Sequence, residues 1–313
     1  MKIKNINLSY LILIIATFSV STAAIFTRLI LTEVTPIVIA CYRMIFSAII
    51  SWLIVFVGKK KPPLDLKSGE IGLLVLSGFF LALHFSLWFS SLEYTSVGIS
   101  VVLVTTTPFW VALISPFLLK QKVPLRFYLG LLIAFVGGIT IAAGEVCKLQ
   151  NSRLFCDISS SIQGARSLWG MCLALLGAFT ISGYFIIGTK LKDLMDTFLY
   201  TSWVYSIAGI FLFGYALLKK QNMGPFSPST WIVLGAMALV PQTLGHSMFN
   251  YSLRKLPATT VTIALLGEPI GSTLLALFIL SEVPSATQLI GGVIILIGIG
   301  FATLNKRRSV NVV

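Results

Sequence analysis

Eight side chains able to hold a polar solute sit inside runs that are otherwise hydrocarbon: Arg43, His84, Trp88, Tyr184, Tyr205, His246, Asn250 and Glu268. A guanidinium can grip a carboxylate or a phosphate through two parallel hydrogen bonds, and that is the chemistry open to Arg43. An internal pair with Glu268 is the competing use of the same charge. Glu268 directly precedes Pro269, whose missing amide hydrogen leaves a carbonyl unpaired one turn earlier. A helix broken there would offer backbone and carboxylate together to a ligand; a hydrogen-bonded Glu that merely ties neighbouring helices is the other use. His84 and His246 are the two histidines of the chain, with Trp88 and Asn250 one turn beyond them on the same faces. A near-neutral imidazole responds to protons as well as ligands, whereas a packed histidine does neither. Tyr184 and Tyr205, like Trp110 and Trp203, can line an amphipathic cavity, fill a core or sit in an interfacial belt.

Nothing in the pattern resembles a reaction centre. There is no HExxH, no GxSxG and no cluster of carboxylates, so no catalytic residues are expected and the chain reads as a non-enzyme. The absence of a Walker loop sets aside ATP-driven pumping. No cofactor or metal is implied, because the four cysteines lack ligand spacing. Cys41 and Cys172 lie in apolar runs, while Cys147 and Cys156 share one polar loop and are candidates for a disulfide there.

The elements that must carry these side chains follow from composition. Of 313 residues, 57% are hydrophobic and 11% charged, against roughly 25% charged in a soluble domain. Too few polar residues remain to cover a water-facing surface, so the lipid bilayer is the expected solvent and partner. Crossing a hydrocarbon core of about 30 Å takes roughly 20 helical residues. Cutting the chain at charges, prolines and turn residues predicts ten such segments: Leu8–Leu31, Pro36–Val57, Ile71–Leu92, Val97–Leu119, Leu125–Ala143, Ser167–Thr189, Thr197–Leu218, Trp231–Leu253, Ala258–Leu280 and Ala286–Leu304. Open strands would leave backbone groups unpaired in lipid, and the segments lack barrel alternation, so the expected fold is all-α. The apolar stretch from Leu8 is too long for a signal-peptide core and reads as the first retained helix.

The net charge of +13 is distributed as a topology signal. With both termini cytoplasmic, 16 of the 23 basic residues fall in inner loops and tails. No segment is polar enough to display a basic groove with stacking aromatics, so nucleic acid is not an expected partner. Arg43 and Glu268 are different: a charge at mid-bilayer costs at least about 2.5–3.5 kcal/mol, so each needs a wet cavity or a partner.

Sliding the chain on itself by 161 residues aligns Pro108 with Pro269, Leu113 with Leu274, Phe117 with Phe278, Gly130 with Gly291 and Gly137 with Gly298. Five helices per half require the second copy to insert upside down. The charges agree: Lys120 and Lys122 are answered by Ser281 and Glu282, and the Arg254–Lys255 pair has no basic counterpart beside Glu93. The expected organisation is a first repeat at 1–145, an extracytoplasmic linker at 146–166, a second repeat at 167–305 and a basic cytoplasmic tail at 306–313. Inverted halves can open a shared crevice to either side by equivalent motions, which is alternating access. Glycines at 130, 137, 138, 291, 292, 298 and 300 permit close helix contact, within the chain or in a homodimer.

Two stretches, LHFSLWFSSLEYTSVGISVVLVTTTP from Leu83 to Pro108 and PQTLGHSMFNYSLRKLPATTVTIALLGEPIGSTLLALFILSEVPSATQLIGGVIILIG from Pro241 to Gly298, resemble the drug/metabolite transporter superfamily, specifically its EamA-type members. ALLGAFTISGYFIIG, Ala174 to Gly188, resembles the opening of that family's second unit. The resemblance implies ten helices in two inverted five-helix units around a central cavity lined by the first four helices of each. It also implies transport of amino acids, nucleotide sugars, phosphorylated sugars or other metabolites, often as export across bacterial inner membranes. Gln121 departs from the acidic residue common after the fourth helix, whereas Glu282 keeps its counterpart. The expected function is a secondary transporter or facilitator in a bacterial plasma membrane. Its solute is a small zwitterionic or anionic metabolite, an amino acid or derivative moved outward, with a proton as a further partner. Exchange or uptake of a nucleotide-like or phosphorylated-sugar solute is the second reading, and a membrane-embedded enzyme the third.

Overall fold

The computed structural model describes residues 2–59, 66–95, 97–150, 153–156, 162–279 and 286–303. Among the described residues, the secondary structure is helical apart from one two-stranded hairpin. In order it runs α1 (Lys2–Ile30), α2 (Pro36–Val57), α3 (Ser68–Tyr94), α4 (Val97–Val104), α5 (Thr107–Leu118), α6 (Leu125–Val146), β1 (Cys147–Gln150), β2 (Arg153–Cys156), α7 (Ile162–Leu191) and α8 (Thr197–Leu218). Then come α9 (Pro228–Met237), a π-helical segment (Ala238–His246), α10 (Ser247–Leu253), α11 (Ala258–Ile263), a 3-10 turn (Ala264–Gly267), α12 (Glu268–Ile279) and α13 (Ala286–Thr303). Among the described residues, eight helical rods are long and apolar enough to cross a membrane by length and composition; Leu125–Thr140 and Leu289–Ala302 are shorter apolar helices.

Local chemistry explains where these rods start, stop and break. α2 opens on Pro36, where a missing amide hydrogen costs nothing. α8 opens on Asp196, whose carboxylate accepts from the Phe198 amide at 3.0 Å. Both helices are 22 residues long, and both are followed at the second residue by a lysine in the left-handed region, Lys59 and Lys220 at φ 50°.

Three rods are interrupted. The sequence predicts one helix from Val97 to Leu119, but the chain breaks at Thr105 and Thr106 between α4 and α5. Pro108 cannot bond back to the Val104 carbonyl, and the Thr107 hydroxyl takes that acceptor instead at 2.8 Å. The ninth rod breaks over Ala264–Gly267, just before Pro269 and at the matching place in the chain. There α1 supplies the hydroxyls: Thr17 donates to the Ala264 carbonyl at 3.2 Å and Ser21 to the Glu268 carbonyl at 3.3 Å. In the eighth rod Pro241 lies inside the π-helical segment, where the Ala238 carbonyl accepts from Thr243 and from Ser47 of α2. Proline-broken backbone is thus rewired by buried hydroxyls, as an apolar surround demands.

Several sequence-based boundaries also shift. α1 starts at Lys2 rather than Leu8, and α7 at Ile162 rather than Ser167, because a helix already nucleated extends into polar flanks. The polar loop expected after α6 contains the antiparallel β1–β2 pair. Lys60, Lys61, Ser281, Glu282 and the tail at 306–313 lie outside the described residues.

Large apolar side chains face outward: Phe117, Leu125, Ile210, Ile232 and Phe278 are all more than 70% exposed, while Arg43 and Gln242 are fully buried. That is the reverse of a water-soluble domain and suits an apolar solvent. Inside, α2 packs on α8, α3 on α7, α1 on the π-helical segment, and α6 on α13. The α6–α13 contact is glycine-dependent. A Cβ at Gly130 would fall 2.6 Å from the Gly298 carbonyl oxygen, and one at Gly137 would fall 2.6 Å from that of Gly291. Residue numbers rise along one helix as they fall along the other, so the two run antiparallel.

Candidate functional site

Where the two broken rods approach α1, α2, α3 and the π-helical segment, a cavity of about 20 Å³ is enclosed. Arg43, His84, Trp88, His246 and Glu268 line it together with Thr105 and Thr107. Thr107 and Glu268 occupy matching positions, each just before the proline of its rod. Five of the eight sequence-predicted residues are therefore brought to one space. Tyr184, Tyr205 and Asn250 stand outside its lining.

Arg43 is fully buried, its Nε donating to Gln242 Oε1 at 2.8 Å and its guanidinium carbon 4.1 Å from the centre of the Phe85 ring. Neither terminal guanidinium nitrogen has a hydrogen-bond partner, and neither does Oε1 of Glu268. The internal ion pair that the sequence allows is therefore not formed as a hydrogen bond. His84 donates from Nδ1 to the Gly177 carbonyl at 3.0 Å, which leaves its Nε2 as an acceptor when the ring is neutral. Its ring stacks on Trp88 at 5.7 Å and stands 6.5 Å from that of His246. His246 Nδ1 and Trp88 Nε1 are also buried without partners.

The remaining predicted residues support rather than line this space. Tyr205 donates to the Gln242 carbonyl at 3.4 Å and shares a hydrogen bond with Ser247 at 3.2 Å. Asn250 donates to the Tyr184 hydroxyl and to the His246 carbonyl. Trp110 packs edge-on against Phe179, and Trp203 against Trp52 with 39% of its surface exposed, so both belong to the outer wall. Gln242 is the residue that sequence reasoning missed. An uncharged amide one turn before His246, beside Pro241, was the available signal.

Buried polar atoms are ordinarily paired, and each orphan costs about 1–3 kcal/mol. Among the described residues, five such atoms belong to residues that line this one cavity: donors on Arg43 and Trp88, a ring nitrogen of His246 and an acceptor on Glu268. Room for about one water is too little for a metabolite, so a solute can enter only when the rods separate.

The EamA-like transporter family matches the chain twice, over residues 7–143 and 168–304. The chain belongs to that family. An uncharacterized transporter of Archaeoglobus fulgidus is 24% identical over 291 residues, covering 91% of this chain and 93% of its own length. An uncharacterized transporter of Bacillus subtilis, YdfC, is 25% identical over 279 residues, covering 88% and 84%. One solved crystal structure superposes with a TM-score of 0.77 over 96% of this chain and 98% of the other, at 16% identity, and so speaks to fold. This EamA-like chain is accordingly a multi-pass membrane protein and a transporter, and the cavity is its candidate solute site.

Proposed function

We propose that this EamA-like protein moves a small zwitterionic metabolite, an amino acid or a derivative, out of the cytoplasm by alternating access. One observation carries the reading: the residues that line one cavity include a guanidinium with unpartnered hydrogen-bond donors and a carboxyl group with an unpartnered oxygen. A solute with a carboxylate and an amine satisfies both, at the place where two proline-broken rods meet.

The motion rests on two inverted five-helix repeats, with the shorter helices α6 and α13 also spanning to make ten. Three findings support this. The family matches begin 161 residues apart, which is the offset of the paired prolines and glycines. Exchanging the halves turns the α3–α7 contact into that between the π-helical segment and α1, and returns α2–α8 and α6–α13 to themselves. The antiparallel crossing of α6 and α13 is what a two-fold axis in the membrane plane produces. The repeats comprise 1–145 and 167–305, joined by an outer linker at 146–166, with both termini and the basic tail at the cytoplasmic side of a bacterial plasma membrane.

Reconstituted liposomes test the proposal. Labelled amino acids, nucleotides and sugar phosphates are offered with and without a pH gradient, then again to His84→Ala and Glu268→Gln. Amino-acid flux that collapses in both variants is expected; a gradient-dependent rate would add the proton as a coupled ion. Unchanged flux in both variants removes the cavity assignment, and movement of nucleotides alone replaces the solute class.

A further inference from the structure

Gln242 governs what Arg43 can do. A guanidinium offers a carboxylate two forks, one through Nε and a terminal nitrogen, the other through the two terminal nitrogens. Gln242 Oε1 occupies Nε at 2.8 Å, which closes the first fork. The second remains: both terminal nitrogens are buried and unpartnered on a side chain that lines the cavity. An amide also accepts this hydrogen bond without cancelling the positive charge, as a carboxylate in its place would. The Arg43 charge therefore stays available in a setting where lone charges are costly.

The placement of Gln242 is itself built. Ser47, one turn beyond Arg43 on α2, donates to the Ala238 carbonyl at 3.0 Å, one turn before Gln242. α2 is thus stitched to the π-helical segment at two points of equal spacing, and the Tyr205 hydroxyl holds the Gln242 backbone from α8. Glu268, on the opposite broken rod, supplies the unpartnered acceptor of the same cavity. A dianionic phosphate on Arg43 would meet the like charge of that carboxylate in the cavity they share. A carboxylate with an adjoining ammonium satisfies both groups.

Resting on the transporter reading above, we infer that Gln242 is a specificity-determining positioning residue: it turns the end-on fork of Arg43 to the cavity with its charge uncancelled, so that the transported solute must carry a carboxylate, while Glu268 takes the adjoining amine. The test compares labelled L-leucine, L-threonine and L-phenylalanine with their carboxamides, which keep side chain and amine but lose the carboxylate, in liposomes carrying the full-length protein. Wild type is expected to favour the acids by about 10–100-fold in KM, the worth of a charge-assisted hydrogen bond. Gln242→Glu gives Arg43 a partner of nearly the same shape that cancels its charge. It is expected to erase the preference by raising KM for the acids, with maximal flux within about twofold and no fall in melting temperature. Gln242→Met, which keeps volume but drops the anchor, is expected to weaken the same preference and serves if the Glu variant does not fold. Acid preference unchanged in whichever of the two variants folds overturns the role of Gln242. A wild type that moves none of the acids instead refutes the solute class on which the inference rests.

Discussion

Glu268→Gln keeps the volume beside Pro269 while removing the negative charge of a cavity-lining carboxyl whose Oε1 is buried without a partner. Amino-acid flux is expected to fall by about tenfold or more with the melting temperature unchanged, as removing a charged hydrogen-bond partner worth ~1.5–3 kcal/mol implies. Liposome flux and thermal unfolding in detergent check the two halves of that statement. Arg43→Lys keeps the charge but replaces a planar fork by a point donor, and it abandons the Gln242 side-chain Oε1 at its present reach. The expected result is again a loss of about tenfold in the same flux assay, and wild-type flux would show that charge alone suffices. At this scale the sequence was informative about ionisable groups, because Arg43 and Glu268 interrupt long apolar runs. It was nearly silent about Gln242, because a neutral amide carries no charge to mark it and no topology meaning.

Glu33 ties together two elements that the sequence shows only as separate. It lies in the turn between α1 and α2, and its carboxylate accepts from the Ser227 amide at 2.6 Å, from the Ser227 hydroxyl at 2.8 Å and from the Thr230 hydroxyl. Those groups form the N-terminus of α9, so Glu33 completes the cap from another part of the chain. The Thr230 hydroxyl, then the Ser227 amide and hydroxyl, hold its carboxyl below the ordinary value of 4.5. A lowered folded value means that this stabilisation is present above pH 4.5 and fades as pH falls through the lower value. Wild type should therefore melt higher than Glu33→Gln at pH 6, and the gap should close on acidification; a gap independent of pH would contradict the cap. The β1–β2 hairpin makes a second prediction at this scale. Its register sets Cys147 directly opposite Cys156, and opposed antiparallel residues lie about 4.5–5.5 Å apart at Cα, inside the range a disulfide bridges. Peptide mapping without reductant is expected to find the two linked, and two free thiols would refute it. Side chains of this hairpin lie outside the described residues, so the pairing rests on backbone register alone.

The α6–α13 crossing leaves no room for any side chain at Gly298, where a Cβ would fall 2.6 Å from the Ala134 nitrogen and from the Gly130 oxygen. Gly298→Ala is expected to cost about 1–3 kcal/mol, the usual penalty of overpacking. Gly72→Ala, with nothing within 4 Å of the added atom, should be neutral or slightly stabilising, since alanine favours helix. Thermal unfolding of both variants compares them directly; equal effects would mean that the crossing is looser than its geometry states. Internal packing thus accounts for Gly130, Gly137 and Gly298 without a second copy of the chain.

Apolar run length, the placement of charges and the paired prolines were enough to read a helical membrane protein with rods near their observed limits, because each is a local property of the chain. α2 and α8 came out at the limits that their flanking residues predicted, and the break before Pro269 followed from one missing amide hydrogen. Which polar residues share a cavity was decided only by the tertiary structure, since that depends on how each helix is turned against neighbours far away in the chain. The Asn250 amide donates to the Tyr184 hydroxyl away from the cavity, while Gln242 reaches Arg43 across 199 residues because the π-helical segment and α2 are stitched side by side. Spacing along a chain can place a side chain on a face; only packing decides what that face meets.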